Sequence, residues 1–219
     1  MANVLYGHKD THKISLQNII QHTLSVKKGI KKSLLVVDMP KGSYSNKKLA
    51  IKNAKIMMNL TKCDAVKIES NKKNFSIIYE LVKAKIPVMG HIGYTPQFHK
   101  KFRIQGNSID GINKLLKEAI TIERAGAFSI VLECLTPKAS KLITNNLKIP
   151  TIGIGSSSNC DGQILVTDDM LGMSGFYPKF VKKYALINRI IEKAVKKYTR
   201  EVKLKKFPAT KNFLNGRKY

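Results

Sequence analysis

Cysteine is scarce in this 219-residue chain, with Cys63, Cys134 and Cys160 its only three. They are odd in number and widely spaced, and none forms a CxxC pair. This excludes a disulfide scaffold and a zinc ribbon. Cys63 and Cys134 sit in or beside apolar runs and read as buried, reduced thiols. No apolar run reaches transmembrane length. The first fifteen residues, MANVLYGHKDTHKIS, lack the basic stretch and apolar core of a signal peptide. A soluble cytoplasmic protein with no membrane partner fits these absences.

Acidic residues are few, 14 against 40 basic, for a net charge of +26. Such a balance raises nucleic-acid binding as a function. Arginine is also scarce, however, with 5 of the 40, and arginine supplies the bidentate fork that phosphate and base readers use. The lysines are spread over most segments instead of forming one stripe. Only the region from Lys179 onward is concentrated, with 14 basic residues against Glu192 and Glu201. Specific nucleic-acid recognition is therefore not expected.

No linker and no internal repeat divides the chain. With 43% hydrophobic residues it can bury a sizeable core. Six short runs rich in Val and Ile predict strands: Ser33–Asp38, Ala65–Glu69, Pro87–Ile92, Phe128–Glu133, Pro150–Ile154 and Gln163–Thr167. Near-continuous apolarity is the mark of parallel strands buried on both faces. Helical spacing predicts helices over Leu16–Lys28, Asn46–Leu60, Asn74–Lys83, Ile112–Ala125 and Lys138–Asn146. The alternation reads as an α/β fold with a parallel sheet, one domain over residues 1–219. Residues 178–219 form its helical and irregular tail. There, Pro178–Val202 predicts one or two amphipathic helices that bury Tyr184, Ile187 and Ile191, with Lys205–Tyr219 irregular.

Polar residues fall at the ends of these strands. Asp38 ends the first, Lys67 and Glu69 the second, His91 the third and Glu133 the fourth. A glycine-rich turn, Gly153 to Ser156, ends the fifth, and Asp168 and Asp169 follow the sixth. A single strand-end carboxylate often only caps the next helix. Four strands in succession point to groups converging on one site, as at the C-terminal face of an α/β barrel. Asp38 and Glu69 offer oxygen ligands to a hard cation such as Mg²⁺. Lys67 shares a strand face with Glu69 and suits a substrate carboxylate. His91 suits a hydrogen bond to substrate or the orientation of a ligand water. Glu133 stands apart from the metal pair and suits a general base. Together they suggest metal-assisted enolisation of a small oxo acid.

Several stretches carry a resemblance: Val37-Asp38-Met39-Pro40 with Tyr44, Val66 to Glu69, Gly90 to Gln97, Val131 to Cys134, Ile149 to Gly155, Asp161 to Val166, and Pro178-Lys179-Phe180. These resemble the signatures of ketopantoate hydroxymethyltransferases, in order from about Val4 to about Phe213. The resemblance implies a (β/α)₈ barrel of the phosphoenolpyruvate-binding type. It implies aldol-type transfer of the one-carbon unit of 5,10-methylenetetrahydrofolate to 3-methyl-2-oxobutanoate, giving 2-dehydropantoate for pantothenate biosynthesis. By motif position, Asp38 contacts Mg²⁺ and substrate, Lys67 and His91 lie at the substrate, Glu69 binds the metal and Glu133 accepts the proton. A homo-oligomer, often a decamer, is implied as well.

Departures from the family pattern are Ser156-Ser157 after the glycine turn, Asn107 in the QGR stretch, and Asp168-Asp169 after the last strand. The stretch that begins at Met1 resembles the family's sequence just past its Gly-Asp-Ser strand end. Six strands are therefore expected where a barrel has eight, with a gap between last and first. Ala2–Ser15 is expected near that gap. The alternatives to an active transferase are a catalytically impaired truncated homologue and a basic nucleic-acid-binding protein.

Overall fold

A computed structural model describes residues 5–7, 13–70, 74–99, 101–175 and 177–213. The chain falls into two units, residues 1–164 and 165–219.

The first unit alternates helix and strand: α1 (Leu16–Gly29), β1 (Val36–Asp38), α2 (Lys47–Thr61), β2 (Ala65–Glu69), α3 (Phe75–Lys83), β3 (Val88–Gly93), α4 (Ile109–Arg124), β4 (Ser129–Glu133), α5 (Pro137–Asn146), β5 (Thr151–Ile154) and β6 (Gly162–Gln163). Helix starts follow local chemistry. The side chains of Ser15, Asn46, Ser108 and Thr136 each accept a hydrogen bond from a first-turn N–H, and Pro137 sits at the first turn of α5, where its missing N–H costs nothing. The six strands are all parallel and lie in sequence order, β1 to β6. The result is a half-barrel, with β1 and β6 at its two edges. The expected Ala2–Ser15 segment lies largely outside the described residues.

Strand parity divides the sheet. Val66, Ile68, Val88, Ile92, Ile130 and Leu132 are fully or almost fully buried and pack with Ile78, Leu81, Ile122 and Ile143 of the helices. That layer is the core. The opposite parity carries the charged residues of the strand ends.

Three expectations are corrected. The first strand is shorter than Ser33–Asp38, because the Leu35 N–H donates to the Asp64 carboxylate (2.7 Å) instead of to a neighbouring strand. The last strand is not Gln163–Thr167. Only Gly162–Gln163 pairs with β5, and Thr167 opens a short helix, α6 (Thr167–Met170), that carries Asp168 and Asp169. Where one or two amphipathic helices are expected, a single helix, α7 (Ile187–Lys203), forms among the described residues, and it buries none of its residues. Tyr184 and Ile191 are exposed and Ile187 is half-buried, against the expectation that all three are buried. Its amphipathic spacing is real, but among the described residues its apolar side chains stay exposed or half-buried. A 3₁₀ turn at Thr210–Asn212 follows, and residues 214–219 lie outside the described residues.

Candidate active site

Register brings the polar strand ends together. Asp38 pairs with Lys67, Glu69 with His91, and Gly93 with Glu133. Alternate residues of a strand share a face, so Lys67 and Glu69 share one, as do His91 and Gly93. These pairings place Asp38, Lys67, Glu69, His91 and Glu133 on one face, at the C-terminal mouth of the sheet.

Their side chains touch. The Lys67 ammonium is ion-paired with Asp38 and lies 3.2 Å from His91 Nδ1. An ammonium has only donors, so Nδ1 must accept, and the imidazole proton then sits on Nε2. That N–H lies 3.1 Å from both the Tyr94 carbonyl and Glu133 Oε2. Glu69 Oε2 accepts the Gln97 N–H at 2.8 Å. Gln97 in turn donates from Nε2 to the Met39 carbonyl (3.0 Å) and accepts the Tyr44 hydroxyl (2.7 Å). One residue, through its backbone N–H and its side chain, thus ties the ends of β1 and β2 to the turn after β3. Gln97 and Tyr44 enter the sequence reading only as motif letters. A polar residue in a Thr-Pro-Gln turn carries no mark of being buried, and only tertiary packing gives it its role.

Backbone conformation allows the close approach. Gly93 has φ +96°, and a Cβ there would meet the Glu133 carbonyl oxygen at 2.2 Å. Only glycine fits where the end of β3 runs this close beside the end of β4.

Burial sets the protonation states. It pushes Glu133 up to about 7, opposed by Lys67 and reinforced by Asp38. It pushes Glu69 up to about 7 as well, against the pull of Lys67 and the Gln97 N–H, with Asp38 and Glu133 adding to the rise. Burial and the Lys67 charge lower His91 to about 3, so it is neutral near pH 7. Burial alone would lower Lys67, but Asp38, then Glu69 and Glu133, outweigh it and raise its pKa. The site therefore holds one firm cation, a neutral histidine of defined tautomer and two carboxylates poised near neutrality.

The three cysteines are free and buried. Burial, aided by the Glu133 charge, pushes the Cys134 thiol up to about 12, so it is a poor nucleophile. Among the departures, the Ser156 hydroxyl donates to the Leu132 carbonyl (2.7 Å) and accepts the Leu135 N–H (3.1 Å), which stitches the end of β4. Ser157 accepts from the Asn159 side chain (2.6 Å), and Asn107 donates to the Ile104 carbonyl (2.9 Å). Asp168 lies in the second unit.

Comparison with known proteins bears on the fold and on the family. Among solved structures the fold is similar to phosphoenolpyruvate phosphomutase from Streptomyces platensis subsp. rosaceus, with a TM-score of 0.56 at 14% identity over 90% of this chain and 71% of that one. It is also similar to 2,3-dimethylmalate lyase, a PEP mutase/isocitrate lyase superfamily member, with a TM-score of 0.55 at 15% identity over 72% of this chain and 58% of that one. In sequence it is 46% identical to the 3-methyl-2-oxobutanoate hydroxymethyltransferase of Pelagibacter ubique (strain HTCC1062), over 97% of this chain and 82% of that protein. It is 43% identical to the enzyme of the same name from Anaplasma marginale (strain St. Maries), over 95% and 76%. The family model for ketopantoate hydroxymethyltransferase matches residues 1–210, and the chain belongs to that family.

Proposed function

We propose that the chain transfers a hydroxymethyl group from 5,10-methylenetetrahydrofolate to 3-methyl-2-oxobutanoate, giving 2-dehydropantoate for pantothenate biosynthesis. The observation that carries this reading is Glu133: a carboxylate raised to about 7, held by a neutral histidine, within the field of a buried lysine. A general base works best when its pKa lies near the working pH. In 3-methyl-2-oxobutanoate the hydrogen on C3 is acidified by the neighbouring carbonyl. Glu133 takes that proton, and the electron pair moves into the enolate. The one-carbon unit exchanges its two bonds to the folate nitrogens for one bond to C3 and one to the oxygen of a water, and the C3 proton and one water proton end on the two nitrogens. Lys67 pairs the negative charge of the oxo acid. His91, donating from Nε2, keeps the Glu133 carboxylate in place.

Asp38 and Glu69 form a donor set that suits Mg²⁺, which takes one or two carboxylates and fills the remaining positions with water and substrate oxygens. Glu69 commits one oxygen to the Gln97 N–H and retains a second for a ligand. Among the described residues no group of three His, Cys, Asp or Glu side chains gathers that could hold an ion, so the proposed donor set is these two carboxylates alone. Bound there, Mg²⁺ would polarise the oxo-acid oxygens and favour the enolate.

We further place the enzyme in the cytoplasm as a homo-oligomer, a decamer by resemblance, without a specific nucleic-acid or membrane partner. The uncovered apolar face of α7 supports self-association, and no described helix is long and apolar enough to cross a membrane. The test is direct: the chain, Mg²⁺, 3-methyl-2-oxobutanoate and methylenetetrahydrofolate, followed by NMR or mass spectrometry. Formation of 2-dehydropantoate supports the reading. A folded chain that yields none sinks it.

A further inference from the structure

Between β1 and α2 the chain closes a tight turn. The Ser43 N–H and hydroxyl both donate to the Pro40 carbonyl (3.0 and 2.7 Å). The Asn53 side chain of α2 donates to the Ser43 carbonyl (2.7 Å). Tyr44 leaves this turn and is 4% exposed. Its ring meets Phe98 edge-on, with centroids 6.4 Å apart. Its hydroxyl donates to Gln97 Oε1 (2.7 Å), and Gln97 is only 7% exposed. The turn that carries Gln97 and Phe98 is closed as well, by the Phe98 and His99 N–H groups on the Thr95 carbonyl (2.9 and 3.0 Å). A buried hydroxyl and a buried amide must both be paired, so a core that needed only to pack would use apolar residues here.

What the pair holds is the carboxylate donor set. Burial and the charges of Glu69 and Asp38 keep the Tyr44 hydroxyl protonated, hence a donor. An amide has one acceptor end and one donor end. With Oε1 taken by Tyr44, Nε2 is turned to the Met39 carbonyl (3.0 Å). Met39 follows Asp38, and its own N–H donates to the Lys67 carbonyl (2.9 Å). The backbone beside Asp38 is therefore held from both sides. The Gln97 N–H holds Glu69 Oε2 (2.8 Å). One residue thus fixes the chain next to the first carboxylate and an oxygen of the second.

Cations differ in what they ask of such a pair. Mg²⁺ demands a near-ideal octahedron with oxygens at about 2.1 Å, whereas Ca²⁺ accepts oxygens from about 2.3 to 2.6 Å in flexible arrangements. Loosening the pair therefore costs the smaller ion more. We propose that the Tyr44 hydroxyl, acting through Gln97, sets the separation of Asp38 and Glu69 and with it the preference of the site for Mg²⁺ over Ca²⁺. Tyr44 is a positioning residue in this scheme. The scheme rests on the reading of Asp38 and Glu69 as metal ligands.

The test is binding of Mg²⁺ and of Ca²⁺ to the full chain, each read by competition against Mn²⁺ in electron paramagnetic resonance, with thermal unfolding alongside. Tyr44→Phe keeps the ring and removes only the hydroxyl. It should raise the Mg²⁺ Kd about tenfold or more, the usual scale for a lost partner behind a ligand, and the Ca²⁺ Kd by less than about threefold. Gln97→Met should act alike, and the double variant should do no more than the worse single one, because both break the same link. Thr61→Val removes a buried hydrogen bond of α2, from Oγ1 to the Met57 carbonyl (2.7 Å), and controls for plain destabilisation. It should lower Tm and leave the ratio of the two Kd values unchanged. Equal weakening of both ions in Tyr44→Phe, a Mg²⁺ Kd within about twofold of the parent, or a shifted ratio in Thr61→Val overturns the positioning role. A parent chain that binds neither Mn²⁺ nor Mg²⁺ overturns the metal reading itself, and the positioning role with it.

Discussion

The mouth of the sheet and the helix α7 treat polarity in opposite ways. At the mouth, charged side chains sit where apolar ones would be expected, and each is given a partner: Lys67 with Asp38, His91 with Glu133, Glu69 with the Gln97 N–H. On α7, apolar side chains sit in a regular stripe and none is buried. Burying a charge costs free energy unless it is paired. Leaving an apolar stripe in water forgoes the gain that burial would bring. The first arrangement is retained for chemistry. The second leaves a surface free for another body. Polarity pattern alone therefore does not say which residues act. It must be joined to what the backbone register brings alongside.

The largest effect expected from this contrast is at Glu133. Glu133→Gln should lower turnover about a hundredfold or more, the usual scale for a general base, with little change in Mg²⁺ affinity. The same exchange at Glu192, exposed on α7, should leave turnover unchanged. Steady-state kinetics on both variants checks this, and equal losses would erase the distinction between the regions.

Stability should divide the same way. Ile130 of β4 is fully buried among the core side chains. Ile130→Ala should cost about 2–5 kcal/mol, read from denaturant unfolding at fixed protein concentration. A loss under about 1 kcal/mol would show that the layer behind the mouth is loosely packed.

A smaller, directional effect is expected at Lys67, whose charge lowers the pKa of both Glu133 and Glu69. In Lys67→Met the Glu133 pKa should rise further. The base is active when ionised, so the acid limb of the rate profile should move to higher pH. A limb that stays in place or falls would mean that Lys67 does not set the field at the base.

The smallest effect should be at Ile190, 63% exposed on α7. Ile190→Ser should change stability by no more than about 0.5 kcal/mol where the face is uncovered. A much larger loss that grows as protein is diluted would show that the face is covered by another copy of the chain.

Much of the first unit was legible in the sequence. Buried parallel strands read as Val- and Ile-rich runs, and a charged residue closing such a run marks its C-terminal end, as at Asp38, Glu69 and Glu133. What was not legible depends on neighbours. Ile164, Leu165 and Val166 read as strand, but pairing stops at Gln163, one final bond runs from the Ile164 N–H to the Gly153 carbonyl, and Ile164 is 55% exposed. Among the described residues β6 pairs on one side only, and an apolar run does not state whether a partner lies beside it. The same holds for α7, whose spacing defines an apolar face without naming what meets it. Gln97 escaped for a different reason: its three hydrogen bonds join residues 28, 53 and 58 positions away.

The central claim is that Glu133, raised by burial, removes the C3 proton. Exchange of that hydrogen in 3-methyl-2-oxobutanoate with D₂O, followed by NMR across pH with Mg²⁺ and without folate, tests it most directly. A raised carboxyl is active once ionised, so exchange should climb as pH rises through about 7 and then level, and Glu133→Gln should abolish the climb. A limb near 4.5, the ordinary carboxyl value, or a climb that survives in Glu133→Gln, would contradict the account.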